Sequence, residues 1–278
     1  GNRSRRRTLL GQQLSADSRV AVSTTAVPQT VVLSGRPNGT THRAVEILGQ
    51  LPPEFRLIGG LAVMCRVGLP HRATVDLDAT TRGLALHHEL LSALAVTASG
   101  GGQYRMQNDL DLDVIDIAVE TAHELAAMLE SQGDVSDLEL NVVAHSWAHD
   151  AATPVDLTVV YGDGIPLVEA PGRLIASPAG LVAMKAMTIP LRASQRAEKR
   201  SSDLYDLARL LVTSANLPQE IATMPALIRT VLLTRLDQWF VEGSGRDRSY
   251  RELRKYDDPP VDLDEVGDVI DQIAPGLV

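Results

Sequence analysis

A single cysteine, Cys65, stands among the 278 residues. An internal disulfide is therefore excluded, and so is a zinc centre built from several thiolates. Rings are scarce too. Aromatic residues make up 3% of the chain against 44% apolar residues overall, so the core must be built from Leu, Val, Ile and Ala. No run of about 18 apolar residues occurs, which excludes a membrane-crossing helix. The basic opening through Arg7 is followed only by Thr8-Leu9-Leu10 before polar residues return. A secretory leader needs a longer apolar stretch, so a cytoplasmic protein is expected. Positive charge is in deficit, with 26 Lys and Arg against 35 Asp and Glu and a net charge of −9. A uniformly basic surface is thereby excluded, although local basic strips are not.

Three such strips are present. Arg3, Arg5, Arg6 and Arg7 form one; Arg192, Arg196, Lys199 and Arg200 a second; Arg246, Arg248, Arg251, Arg254 and Lys255 a third. Each is either a row of solvated arginines or a contact for a polyanion. The length suits one larger domain with a smaller one. Residues 1–40 are polar and punctuated by Pro28, Pro37 and Gly39, and read as an extended basic arm with a strand at residues 30–33. Helices are expected over residues 43–48 and 61–67, with a short strand at 56–58 running into Gly59-Gly60. Asp76 and Asp78 alternate with Val75, Leu77 and Ala79, the period of a strand. Residues 84–98 read as one helix closed by three glycines, 110–119 as a second acidic strand and 121–132 as a helix. Strands are expected at 138–144 and 155–161, the latter turning through Gly162-Asp163-Gly164 into 165–169. After Ser177-Pro178 the pattern becomes helical, over 179–187, 201–212, 218–224, 225–240 and 261–273. The division is thus an arm over 1–40, an α/β domain over 41–172 and a helical domain over 173–278.

The chemistry concentrates in Gly59-Gly60 followed, after a helix, by Arg72-Ala73-Thr74-Val75-Asp76-Leu77-Asp78. Phosphoryl transfer asks a protein mainly for divalent cations to offset triphosphate charge and for an aligned attacking hydroxyl. Carboxylates at i and i+2 of a strand point the same way and can share metal ions. Two glycines entering a helix let backbone N–H groups approach a phosphate, which the positive helix end also favours. Arg72 beside the acidic strand can hold a phosphate oxygen in a forked contact. A Gly-Gly pair alone is usually a turn, and Asp-x-Asp alone a solvated face; the ordered set is far more specific.

On these residues the chain resembles the DNA polymerase β-like nucleotidyltransferase superfamily. More narrowly, it looks like the AbiEii and MenT-type toxins of bacterial toxin–antitoxin systems. The resemblance rests on Gly59, Gly60, Arg72, Thr74, Asp76 and Asp78, extended by Lys185 and by Asp203-Leu204-Tyr205-Asp206-Leu207. It covers roughly residues 55–210. It implies an α/β (α+β) fold, a polymerase-β-like core with a mixed sheet plus a helical C-terminal domain. The implied activity is Mg²⁺-dependent transfer (or Mn²⁺ in its place) of NMP from an NTP to the 3′ end of tRNA, which blocks translation. The implied partners are NTP, the tRNA acceptor end and a cognate antitoxin, either a kinase or a transcriptional repressor, with no membrane. Asp76 and Asp78 would hold metal, while Gly60, Arg72 and Lys185 would hold phosphates. Phosphorylation of Thr74 would repel NTP.

Such folds add a third carboxylate from a neighbouring strand. Asp113 fits by chain order, and Asp156, also flanked by apolar residues, competes with it. Lys185 lies among Leu181, Val182, Met184 and Met187, where a lysine must snorkel or meet an anion such as a triphosphate or Asp203. Asp203 either orients Lys185 or caps its own helix after Ser201-Ser202. His87 and His88, and the pair His145 and His149, lack a plausible set of metal-ligand partners, and no strong helix is expected to carry the second pair. Asp163 is turn chemistry and Cys65 a small core residue. Two other functions share the same strand: a nucleotidyltransferase acting on small molecules such as antibiotics, and a non-catalytic nucleotide-binding module.

Overall fold

The computed structural model describes residues 28–68, 71–72, 74–192, 197–256 and 259–274. The first basic strip, most of the expected arm, and Arg196 of the second strip lie outside them.

Among the described residues, eight strands form one mixed sheet: β1 (Gln29–Ser34), β2 (Arg56–Ile58), β3 (Asp76–Arg82), β4 (Ala95–Gly100), β5 (Gln103–Met106), β6 (Asp111–Ile117), β7 (Thr153–Tyr161) and β8 (Ile165–Ile175). Their spatial order is β1-β7-β8-β2-β3-β6-β5-β4. The hairpin β7–β8 is antiparallel, as is β2 against β3, whereas β3 runs parallel to β6. Around the sheet run α1 (Thr40–Gln50), α2 (Gly59–Val67), α3 (His88–Leu94), α4 (Ala122–Glu130) and α5 (Asp137–Asp150). The last strand is followed by α6 (Pro178–Arg192), α7 (Ala197–Thr213), α8 (Leu217–Ala222), α9 (Ala226–Leu236), α10 (Gly243–Leu253) and α11 (Leu263–Ile273), with a π-helical turn at Asp237–Val241. The α/β-then-helical order read from the sequence is thus present. The core is aliphatic as composition required: Leu57, Leu61, Leu77, Ala79, Leu112, Leu181 and Leu207 are all buried.

Three local expectations are corrected. Residues 138–144 belong to α5, not to a strand. Ser136 accepts from Glu139 N–H while the Glu139 carboxylate accepts from Ser136 N–H, a capping box that starts a helix. Leu140, Val143, Ala144, Trp147 and Ala148 then repeat at helical spacing and are buried. Removing the cap with Ser136→Ala should lower stability by about 1 kcal/mol, read as a shift in urea midpoint at constant slope; an unchanged midpoint would mean that the cap contributes nothing. Second, the expected helix over 84–98 stops at Leu94, and Ala95–Gly100 turns into the edge strand β4. The turn from β4 to β5 runs through Gly100, Gly101 and Gly102, all with positive φ. A Cβ at Gly102 would overlap the Val114 carbonyl, so only glycine lets the hairpin lie against β6. Third, α10 has no counterpart in the reading of the sequence, because only Ser249 and Leu253 along it are buried.

Candidate active site

Strand β2 ends at Ile58, and the chain turns directly into α2 through Gly59, whose φ is +71°. That turn lies under the start of β3. A Cβ at Gly59 would overlap the Asp78 carboxylate, and one at Gly60 would come within 2.9 Å of Thr74 Oγ1. The glycine pair therefore clears the room in which Asp78 and Thr74 stand, besides aiming helix N–H groups at the same space. Along β3, Leu77 and Ala79 face the core and Asp76 and Asp78 the other way. These residues open on a cavity of about 410 Å³, lined also by residues of β6, α5, α6 and α7 and by Tyr256.

The two carboxylates are unequally placed. Thr74 Oγ1 is 3.2 Å from Asp76 Oδ1, and Lys199 Nζ is 4.0 Å from Asp76 Oδ2. Asp78 has no ion pair among the described residues. Its pKa is raised to about 6, by burial first and then by the Asp76 charge, with a smaller contribution from Asp113. Asp113 is the register partner of Asp78 on β6, and its pKa is also raised, by burial and by Asp76. Asp156 is separated from β3 by β8 and β2 and accepts a hydrogen bond from Gly172 N–H at 2.6 Å. Among the described residues no three His, Cys, Asp or Glu side chains gather tightly enough to enclose a metal ion. Even so, the crowded and under-compensated carboxylates fit a hard divalent cation. Mg²⁺ commonly takes only one or two protein carboxylates and completes its shell with substrate phosphates and water.

Opposite the carboxylates lies a buried charge cluster centred on Asp206. Arg72 donates to both of its oxygens, at 2.7 and 2.5 Å, and His71 Nε2 lies 3.1 Å from Oδ1. Lys185 Nζ donates to Asp206 and Asp203, each at 2.7 Å, and Arg192 donates to Asp203. Burial opposes the ionised form of Asp206, but Lys185, His71 and Arg72 override it and hold the carboxyl far below its ordinary range. Burial likewise opposes the Lys185 cation, and Asp206 and Asp203 outweigh it, so its pKa is raised. Three cations, Arg72, Lys185 and Arg192, thus stand against two carboxylates, leaving the cluster positive toward the cavity. Asp203 orients Lys185 from inside α7 rather than capping the start of that helix.

Gly59, Gly60, Arg72, Thr74, Asp76, Asp78, Lys185 and Asp203 all line the one cavity, while Asp113 borders an adjoining groove with Asp76. Asp206 and His145 carry no separate role in the expectations above. The signal for Asp206 was its i+3 spacing from Asp203, which puts both on one helix face toward Lys185. His145 and His149 do share a helix, α5, contrary to expectation. His149 Nδ1 meets Thr80 Oγ1 at 3.0 Å and the ring is structural, whereas His145 lines the cavity.

A family model described as "Nucleotidyl transferase AbiEii toxin, Type IV TA system" matches residues 44–268. No curated protein and no solved structure matches the chain.

Proposed function

Because the chain belongs to the AbiEii family of nucleotidyltransferase toxins of type IV toxin–antitoxin systems, we propose that it transfers NMP from an NTP to the 3′ end of tRNA. The observation that carries this reading is the convergence in one cavity of an Asp76/Asp78 pair, a glycine-led helix N-terminus and a net-positive buried cluster. That is the complement of a triphosphate bearing a cation. Asp76 and Asp78, with Asp113 beside them, would hold Mg²⁺ or Mn²⁺, which when bound supplies charge neutralisation and lowers the pKa of the acceptor hydroxyl.

The chain's own groups do the rest. Backbone N–H groups at Gly59 and Gly60 and the outward side of the Arg72–Lys185 cluster hold the β- and γ-phosphates. The acceptor 3′ oxygen bonds to Pα as the Pα–O bond to the β-phosphate breaks, and pyrophosphate leaves. The hydroxyl proton is released to water as the new P–O bond forms. Lys199 at the cavity mouth supplies positive charge of the kind an RNA backbone requires. Thr74, where a phosphate would repel the nucleotide, is buried with its hydroxyl on Asp76, so a kinase antitoxin would need Thr74 to leave that position. An antitoxin that acts as a repressor would need no such access.

The test is incubation of the protein with bulk tRNA, Mg²⁺ and each α-labelled NTP beside an Asp76→Ala control. Label on RNA that disappears in the control is the expected result. Folded protein that labels no RNA with any NTP would refute the tRNA acceptor, and transfer to a small hydroxylated molecule would replace it.

A further inference from the structure

One wall of the cavity holds two residues, His145 and Thr188, that take no part in the chemistry above. It lies where α5 meets α6 and presents His145, Thr188 and Arg192, with Met184 and Ile115 as apolar surfaces.

Asn141 sets the hydrogen-bonding sense of two of these residues. Its main-chain carbonyl lies 2.8 Å from His145 Nδ1. A carbonyl only accepts, so Nδ1 carries the proton. Burial lowers the His145 pKa more than that carbonyl raises it, and Arg192 adds to the lowering; the ring is therefore neutral and its Nε2 is a bare acceptor. Nε2 has no hydrogen-bond partner among the described residues. Thr188 is fixed from the same residue: its hydroxyl donates to the Met184 carbonyl at 2.8 Å and accepts from Asn141 Nδ2 at 2.8 Å. With its one hydrogen engaged, Thr188 can offer only a lone pair. Arg192, by contrast, only donates, and Nη1 is the nitrogen that reaches Asp203. One asparagine thus mounts two oriented acceptors beside a donor.

The geometry points to this wall as the base-reading part of the site, selecting incoming nucleotides whose pairing edge sets an exocyclic amino group beside an unprotonated ring nitrogen, cytosine or adenine, whereas guanine presents a carbonyl and a ring N–H there. The inference rests on the nucleotidyltransferase reading above. Such an amino group offers two hydrogens, one for His145 Nε2 and one for Thr188 Oγ1. The ring nitrogen next to it, N3 of cytosine or N1 of adenine, accepts from Arg192. Uracil and hypoxanthine reverse both features: a carbonyl oxygen faces two lone pairs, and a ring N–H faces a donor. Reversed polarity in a shielded pocket leaves its polar groups unpaired, which is what makes such discrimination strong. Met184 and Ile115 would cover the flat faces of the base.

Two matched nucleotide pairs isolate that single change: CTP against UTP, and ATP against ITP. We would titrate the full chain with the non-hydrolysable α,β-methylene form of each in Mg²⁺, by calorimetry. The amino member should bind about tenfold tighter or more, roughly 1.4 kcal/mol, in at least one pair. His145→Phe keeps a ring and removes the acceptor, so the gap should shrink toward parity. His145→Gln, whose amide can turn either face to the base, should accept both members and serves if the Phe variant does not fold. Equal or tighter binding of the keto members by the unaltered chain overturns the inference. So does a gap that survives both substitutions at His145. If none of the four nucleotides binds folded protein the inference fails, and if GTP does not bind either the nucleotidyltransferase reading fails with it.

Discussion

Asp78→Asn should abolish nucleotide transfer and at the same time make the ligand-free protein harder to unfold. Asp78 titrates at about 6 in the fold because burial and then Asp76 oppose its charge, whereas an unconstrained aspartate titrates near 3.8. Between those values the folded chain keeps a proton that the unfolded chain has released. Stability therefore falls as pH rises through that window and stays low above it. An asparagine carries no such penalty. Above pH 6 the variant should gain on the order of 3 kcal/mol, or roughly 6 °C in Tm, and the slope between pH 4 and 6 should flatten. Transfer should drop about a thousandfold or more, since several kcal/mol of charge stabilisation go with the carboxylate. Adding Mg²⁺ should raise the Tm of the unaltered chain more than that of the variant. A variant that melts below the unaltered protein at pH 8, or that still transfers nucleotide, would contradict this account of Asp78.

Asp206→Asn should do the opposite to stability. Its carboxylate receives Arg72, His71 and Lys185 in a space closed to water. Removing it leaves buried cations uncompensated, a loss of about 3–5 kcal/mol, or on the order of 10 °C in Tm. The pH signature separates the two cases. Asp206 is held well below its ordinary pKa, so its contribution is complete above about pH 4 and disappears only as pH falls through the lower, folded-state value. The deficit of the variant should hence be equal at pH 5 and pH 8. Coupling can be measured with Lys185→Met in a double-mutant cycle, where neighbours sharing one network should depart from additivity. A Tm within a degree or two of the unaltered chain would show that the cluster contributes no stability, and the placement of Arg72 and Lys185 would need another cause.

The acidic strand was legible because its signal is local. Alternation from Val75 to Ala79 and a glycine pair at a strand end require no tertiary knowledge, and the observed β3 and α2 lie where that pattern put them. What escaped is what depends on partners. The Ala95–Gly100 strand is amphipathic in neither period, and it exists because β5 and the glycine turn give it somewhere to pair. The Leu138–Ala144 stretch carries apolar residues compatible with a strand, and the capping box two residues before it was the neglected discriminator. Lys185 announced itself by standing in an apolar helix. Asp206 did not, since an aspartate in a Ser- and Arg-rich helix looks solvated until α6 is laid against it. His145 was unreadable for the same reason: only the contact with α6 gives its free nitrogen a direction.

The Asp206 cluster also ties together two stretches of chain that are distant in sequence. Arg72 precedes the acidic strand β3, while Lys185 and Asp203 belong to the helices that follow the sheet. The two walls of the cleft are thus riveted by charge at the spot where they would have to part. A hinged clamshell of this design would break its own rivet each time it opened. The cleft should instead behave as a standing mould, whose ordering entropy is lost during folding rather than at each encounter. A nucleotide would then enter a shape already made, and the rate of its capture would follow diffusion and charge rather than the tempo of a moving lid.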